Sequence, residues 1–505
     1  LNPKIMTPRA YLKLEDLFKK INVLHGIAAL LRWDAAVMMP KGSSFIRGDQ
    51  LAVIDAEIHS LINSKRLSFL LDRAEAHAGD LDDWQGANLV IMRRLWVRAR
   101  ALPKRLITAL NRATVTADQR WREAKESNNF KRLAPALEKV VNLTREKAEI
   151  LSLKMGVTPY EALLDEYDPY RRSEEVETLF KELHHLLPPM IYRVIERQAD
   201  WSPPPAHLFI PKVRQQHLAR KIMKTMGFPF NNGRLDESPH PFTEGPPGDI
   251  RMTTCYDPND IMKGLMGVLH ETGHALYDFG LPHQWIHQPV GRDMGMTIHE
   301  SQALLMEMVV GRTRGFFIFA APLISRILGV SGETWSAESL YRQATRVKRS
   351  LIRMDADELT YLEHVSVRFQ MEKEIFTGHL KVRQIPEAWN ELMKAGLGIS
   401  PQNDAEGCLQ DSHWPHGYFG YFSTYALGLL TAAQLYQSAL QACPEIPREI
   451  QTGNFRPLVD WLTDNIYSWG ARKRFTELLK NATGRGLSID PFKSYLEAKY
   501  LTDTC

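Results

Sequence analysis

Cysteine is scarce: Cys255, Cys408, Cys443 and Cys505 are the four in 505 residues, and none forms a CxxC pair. Neither a cysteine-built metal site nor a disulfide scaffold is expected, and reduced thiols in a cytoplasmic protein fit the spacing. No apolar stretch reaches the roughly 18 residues that suggest a membrane-spanning helix. The first 30 residues carry Lys4, Arg9, Lys13, Glu15, Asp16, Lys19 and Lys20 and no unbroken apolar core, so no signal peptide is expected. Charge of one sign is also lacking, since 63 Lys and Arg against 59 Asp and Glu leave a formal +4. So small an excess points to neither nucleic acid nor a membrane as partner. The one local basic run, Arg93, Arg94, Arg98, Arg100, Lys104 and Arg105, falls at helical spacing and reads as a solvated helix face.

What is there is helical patterning. Around Tyr11–Leu31 the apolar positions Leu14, Phe18, Ile21, Leu24, Ile27, Ala28 and Leu31 recur at three and four residues, the spacing of an amphipathic helix. Similar spacing predicts helices over Leu137–Leu153, Val176–Ile195, Leu304–Phe319 and Leu351–Phe369. Strand-like alternation is confined to His207–Ile210 and Ile250–Thr254. Ser202-Pro-Pro-Pro205 breaks the helical pattern and Gly245-Pro-Pro-Gly248 demands an irregular loop, but neither is long enough for a flexible linker. With no repeat and no low-complexity tract, residues 1–505 read as a single, mainly α-helical domain with a small sheet near residues 205–255.

Within Pro258–Pro282, Ile261, Leu265, Val268, Leu269 and Leu276 keep helical spacing, and Gly280 with Pro282 forms a helix stop. This stretch contains His270-Glu271-x-x-His274. Residues four apart lie one turn apart, roughly 6 Å along the axis, and point the same way, so both imidazoles can face one tetrahedral zinc. Glu271 falls beside the metal, where a carboxylate can take a proton from an attacking water and deliver it to the leaving amine. A zinc peptidase needs a third protein ligand. Glu300, opening the next helical run, is the nearest candidate, with Asp278 and Asp293 as fallbacks. Thr297 and Glu300 also have capping-box spacing, but a zinc site with two ligands is incomplete, which favours ligation.

Further segments agree with one family. Leu31-Arg-Trp-Asp34 with Met38-Met-Pro40, His240-Pro-Phe242, Asp249-Ile-Arg-Met-Thr253, His299-Glu-Ser-Gln302, Ile352-Arg-Met-Asp-Ala-Asp357 and Gly407-Cys-Leu-Gln-Asp-Ser-His-Trp414 stand in family order. With the zinc motif they make the chain resemble the carboxypeptidase Taq family of thermostable metallocarboxypeptidases from about residue 30 to 430. The resemblance implies a mostly helical fold with a deep substrate groove, a homodimer, and release of single residues from peptide C-termini. It also implies one zinc per chain, replaceable by cobalt. Ser423 departs from the pattern, standing where relatives often carry Pro; the change removes no chemical group.

A carboxypeptidase must hold a terminal carboxylate, and the planar fork of arginine suits this. Arg353 and Arg251 lie in two of the matched motifs and are the candidates, with closure of the groove as the alternative role for Arg251. Donors for the oxyanion are sought in His413–Tyr421, which looks similar to a His…Tyr region of related helical zinc peptidases. This favours His413 and Tyr421, with Tyr418 beside them. His240 and His299 read as groups that orient ligands. The primary expectation is a zinc metallocarboxypeptidase acting on peptides. The alternatives are an endopeptidase or dipeptidyl carboxypeptidase on the same core, and a silent peptide-binding relative, which the presence of Glu271 disfavours.

Overall fold

The computed structural model describes residues 8–201 and 208–502. The apolar stripe at the N-terminus forms a helix over Arg9–Val37, and the patterns at 137–153 and 176–195 lie inside helices Ala134–Met155 and Ser173–Arg197. The helix carrying His270 spans Ile261–Gly280. Asp260 opens it by accepting from the amides of Met262 and Lys263 (3.0 and 3.3 Å), so one carboxylate satisfies two of the orphan donors at the helix start.

Three expectations are corrected. Leu304–Phe319 is no continuous helix: Met296–Leu304 passes into a π-helical turn, Leu305–Val310, and a new helix starts at Arg314. Thr313 causes the restart by accepting from the Phe316 amide (3.1 Å). The helix expected from Leu351 begins only at Thr360 and runs to Thr377, because the Asp357 carboxylate accepts from the amides of Leu359 and Thr360 (3.0 Å each) and stops it extending backwards. Ser202–Pro205 and His207 lie outside the described residues, and Leu208–Ile210 forms no strand.

The sheet has the order β1-β3-β2, with β1 Gly233–Glu237 parallel and β2 Phe242–Glu244 antiparallel to the central β3 Ile250–Thr254. Only β3 follows from the sequence pattern; β1 and β2 are short and polar. Ile250 and Met252 on β3 pack with Val268 and Ala275 on the His270 helix in a buried cluster. Alternation along β2 then turns Thr243 towards the His270 helix, while Glu244 pairs with Arg32 on the N-terminal helix (2.7 Å).

The basic run is also corrected, because only part of it is solvated. Arg94 and Arg98 both reach the buried Asp165 carboxylate (2.6 and 2.7 Å), and Arg93 spans Asp72 and Glu75 (2.6 Å each). Asp165 belongs to helix Pro159–Tyr167, whose last ring packs edge-on to Tyr421 at 5.0 Å. Charges that look like surface decoration therefore fix a helix beside the site. Among the described residues, no helix is long and apolar enough to cross a membrane.

Candidate metal centre

Two glycines let three helices meet. A Cβ on Gly273 would lie 2.3 Å from the Gln302 carbonyl oxygen, so its absence lets the His270 helix close on helix Met296–Leu304. A Cβ on Gly428, in helix Phe422–Ala442, would lie 2.8 Å from the Glu300 Cβ. Glu300 is thereby wedged between two helices and aimed at the histidines. Its Oε2 stands 3.8 Å from His270 Nε2 and 3.9 Å from His274 Nε2, and one ligand atom from each of the three lies within 4.8 Å of the others.

These residues fit a divalent cation. Bonds of about 2.0–2.2 Å in a tetrahedral site put ligand atoms about 3.3–3.6 Å apart, so the two glutamate–histidine distances need contract by only a few tenths of an ångström. Glu300 Oε1 accepts from the Tyr421 hydroxyl (3.0 Å), whereas Oε2 is buried with no hydrogen-bond partner. A buried carboxylate oxygen left bare is costly unless a cation or a proton completes it; burial raises Glu300 despite His270 and the Tyr421 hydrogen bond, and the two histidine Nε2 atoms facing the same oxygen favour the cation. Thr297 donates to Asp168 (2.7 Å) and Glu300 makes no capping bond, so the capping-box alternative is set aside.

The surrounding charges favour the same occupant. Burial works against a charge on His270, but the hydrogen bond to Glu307 (3.0 Å from Nδ1) and the fields of Glu271 and Glu300 push it up to about 9. Positive charge is what this position demands. His274 is held well below its ordinary value by burial first, then by His299 and His270, so it is neutral. Its Nδ1 meets His299 Nδ1, and His299 Nε2 reaches Asp278 (3.2 Å). Burial works against a charge on His299, but Asp278 pushes it up to about 9, so without a cation His299 donates from both nitrogens; with His299 neutral, His274 donates from Nδ1 and its Nε2 lone pair is free for a metal. Asp278 is thus engaged by His299, and Asp293 stands apart from the triad. His270 keeps 22% of its side chain exposed against 4% for Glu300, so the site opens on the His270 side.

Glu271 lies beside the triad. Thr243 on β2 donates to its Oε2 (2.6 Å), and burial raises it above the usual carboxylate range despite His270 and that hydrogen bond. A carboxylate so placed is poised to hold a proton in mid-reaction.

On the other wall, Arg353 grips Asp411 Oδ1 through Nε and Nη2 (3.2 and 2.9 Å), and Arg368 reaches Oδ2 through Nε (2.6 Å). Burial alone would raise Asp411, but Arg368 and Arg353 hold it well below the usual carboxylate range. Two guanidinium groups share one carboxylate, so the wall keeps a surplus positive charge. Tyr425 packs under Arg353 (5.0 Å) and faces His413 Nε2 (3.3 Å). Burial lowers His413 to about 3, so it is neutral, and its Nδ1 has no partner.

The remaining candidates scatter. Arg251, on β3, is held by Asp249 (2.8 Å) and stacks on Trp33 (4.3 Å). Tyr418 is 50% exposed beside His416. The His240 side chain is exposed and only its carbonyl is used, by Ser238, so it orients no ligand. Sequence reasoning missed Glu307, Thr243, Asp411, Arg368 and Tyr425. Asp411 lay within a quoted motif, whose Gln410-Asp411-Ser-His413 run was the available signal, and Tyr425 lies one helical turn beyond Tyr421.

The family model described as carboxypeptidase Taq (M32) metallopeptidase matches residues 13–500. Thermostable carboxypeptidase 1 of Thermus thermophilus is 35% identical, over 98% of this chain and 99% of its own. Carboxypeptidase 1 of Bacillus subtilis is 33% identical over 96% and 97%. Among solved structures, metallocarboxypeptidase 1 of Trypanosoma cruzi superposes with a TM-score of 0.95 at 34% identity, covering 98% of this chain and all of that one. The M32 carboxypeptidase of Deinococcus radiodurans gives 0.91 at 31%, covering 98% and 99%.

Proposed function

The chain belongs to the carboxypeptidase Taq (M32) metallopeptidase family, and from that premise we propose that it releases single residues from peptide C-termini with zinc on His270, His274 and Glu300. The observation that carries the metal assignment is the bare, buried Glu300 Oε2 facing both histidine Nε2 atoms. Zinc, or cobalt in its place, one ion per chain, supplies a Lewis acid for the attacking water and the scissile carbonyl.

The chain's own residues do the rest. Glu271 takes a proton from the water and hands it to the leaving nitrogen, with Thr243 fixing its other oxygen. Tyr421 turns its hydroxyl from Glu300 to the developing oxyanion, and His413, neutral and hydrogen-bonded to Tyr425, is the second donor. Arg353 anchors the terminal carboxylate, using the surplus positive charge that Asp411 leaves on the Arg353–Arg368 pair. Arg251, stiffened by Asp249 and Trp33, closes the groove on the sheet side, and Tyr418 contributes its exposed ring to the substrate. We also carry the homodimer and a reducing, cytoplasmic setting as proposals. Sedimentation tests the first, and the free Cys255, Cys408 and Cys443 agree with the second.

Two measurements test this reading. Glu271→Gln is expected to remain folded and metal-loaded while hydrolysis of a blocked peptide falls by about 10²–10⁴-fold. The same peptide with a C-terminal amide is expected to be cut far more slowly than the free acid. Equal rates would mean no carboxylate anchor and an endopeptidase.

A further inference from the structure

A cavity of about 490 Å³ lies between helix Arg9–Val37, helix Asp83–Ala101 and the segments 289–294 and 471–477. That volume is in the range of about 300–1,000 Å³ typical of small-molecule sites. Phe18, Ile91, Leu95, Met294 and Phe475 give it a mainly apolar wall. Its cationic side chains fall into two groups. Arg94, Arg472 and Lys473 are committed to Asp165, Asp83 and Glu477. Arg292 and Arg474 form no ion pair with a carboxylate among the described residues.

Arg292 is the informative one. With the Asn22 amide turned so that its oxygen faces the guanidinium, Nη2 and Nε donate to that oxygen (2.9 and 3.0 Å), a neutral acceptor that adds no counter-charge. Burial depresses the guanidinium below its ordinary value, and the field of Asp293 does not restore it. His25, also in the wall, is kept neutral by burial and by Arg292, down to about 4, so it adds no competing charge. Arg474 stacks on Tyr170 (4.2 Å) and is exposed at the wall's edge. A half-buried cation that lacks a full counter-charge, facing an apolar cavity, is completed by an anion with an apolar body. Asp293 in the same wall repels a dianion about twice as strongly as a monoanion, which favours a single negative charge.

We propose that this cavity is a second ligand site, which takes an apolar monocarboxylate with its charge on Arg292 and its hydrocarbon against the helix walls. The inference is independent of the proposed peptidase chemistry. An alkyl carboxylate and a free apolar amino acid share the required group, and the test separates them. Calorimetric titration of the metal-loaded full chain with octanoate, octan-1-ol and leucine is expected to give saturable, one-to-one binding of at least one carboxylate. Octan-1-ol should bind at least tenfold more weakly than octanoate. The tighter of octanoate and leucine identifies the source. Arg292→Gln is expected to weaken carboxylate binding at least tenfold, and Arg292→Lys less. Should Arg292→Gln fail to fold, Arg474→Gln at the edge is expected to weaken binding two- to threefold in a native fold. Absence of saturable binding, octan-1-ol binding as well as octanoate, or variants that bind unchanged would overturn the proposal. So would displacement of octanoate by a blocked peptide substrate, since that would put the ligand in the cleavage groove.

Discussion

His270 is ringed by carboxylates, and each has a different task. Glu300 faces Nε2, Glu307 fixes the ring through Nδ1, and Arg312 steadies Glu307 (3.0 Å). Removing the negative charge at 307 would leave the triad in place but free the ring of His270, a proposed metal ligand, from its partner. Glu307→Gln is therefore expected to lower metal affinity by about 10–100-fold, the usual loss when a ligand's outer partner is changed; competition against a chromophoric chelator measures it. Glu363 is a buried acid outside the site. It is 2% exposed with Oε1 unpartnered, 3.8 Å from His184 through Oε2, and burial pushes it up to about 8. Since the unfolded group titrates near 4.3, the native state binds the extra proton between about 4.3 and 8, and stability falls as pH rises through that window. Denaturant midpoints at pH 5 and pH 8 should show the wild type losing stability relative to Glu363→Gln, by on the order of a few kcal/mol. At this scale the sequence was most legible where chemistry repeats at fixed spacing. That His270 and His274 share a face was readable from one helical turn, and that Glu300 joins them from the need for a third ligand. Glu307 and Thr243 were not, because their partners lie 37 and 28 residues away in sequence and only the fold joins them.

Elements bring those residues together by close approach and by clamping. A Cβ on Gly428 would lie 2.8 Å from the Glu300 Cβ, so a methyl group there must move either the helix or Glu300. Gly428→Ala is expected to destabilise the protein by about 1–3 kcal/mol through overpacking and to weaken metal binding with it. Gly48, in the helix Ser44–Ile62 with open space around it, is the control: the same substitution there should stabilise by up to about 1 kcal/mol and leave the metal alone. Thermal denaturation and metal titration of both variants separate packing at the site from general helix propensity. A second clamp fixes the segment that carries His413 and Tyr421. Fully buried Glu372 accepts from Trp414 Nε1 (2.8 Å), the Gly420 amide (2.8 Å) and the Tyr160 hydroxyl (3.0 Å). The His270 helix and β3 were legible because long apolar periodicity and β-branched alternation survive in the sequence. The π turn at Leu305–Val310 and strands β1 and β2 were not, since a register change and a polar strand of five or three residues leave no periodic trace.

Across the whole molecule, the proposed ligands converge on a scaffold that has an apolar core of its own. The mainly helical class followed from 3.6-residue patterning, but the arginines near position 94 read as solvated until the fold brought Asp165 beneath them. One apolar core runs from the helix Lys104–Glu126 to the last helical turn, a smaller one holds the N-terminal helices together, and a third joins the sheet to the His270 helix. A chain with so much buried surface differs from a small zinc module, which unfolds without its ion. Metal binding here stabilises by mass action alone: free ion at about 100 times its Kd adds about 2.7 kcal/mol. Spread over a chain of 505 residues, that shifts the melting midpoint by only a few degrees, since the shift per kcal/mol is already about 2–4 °C for 150–250 residues and shrinks with size. Chelation is therefore expected to lower Tm by about 2–5 °C, to leave the far-ultraviolet helical signal intact, and to be reversed by added zinc. Loss of the helical signal on chelation would mean that the triad holds the fold together, and the glycine-mediated packing around Glu300 would then not suffice to preform the site.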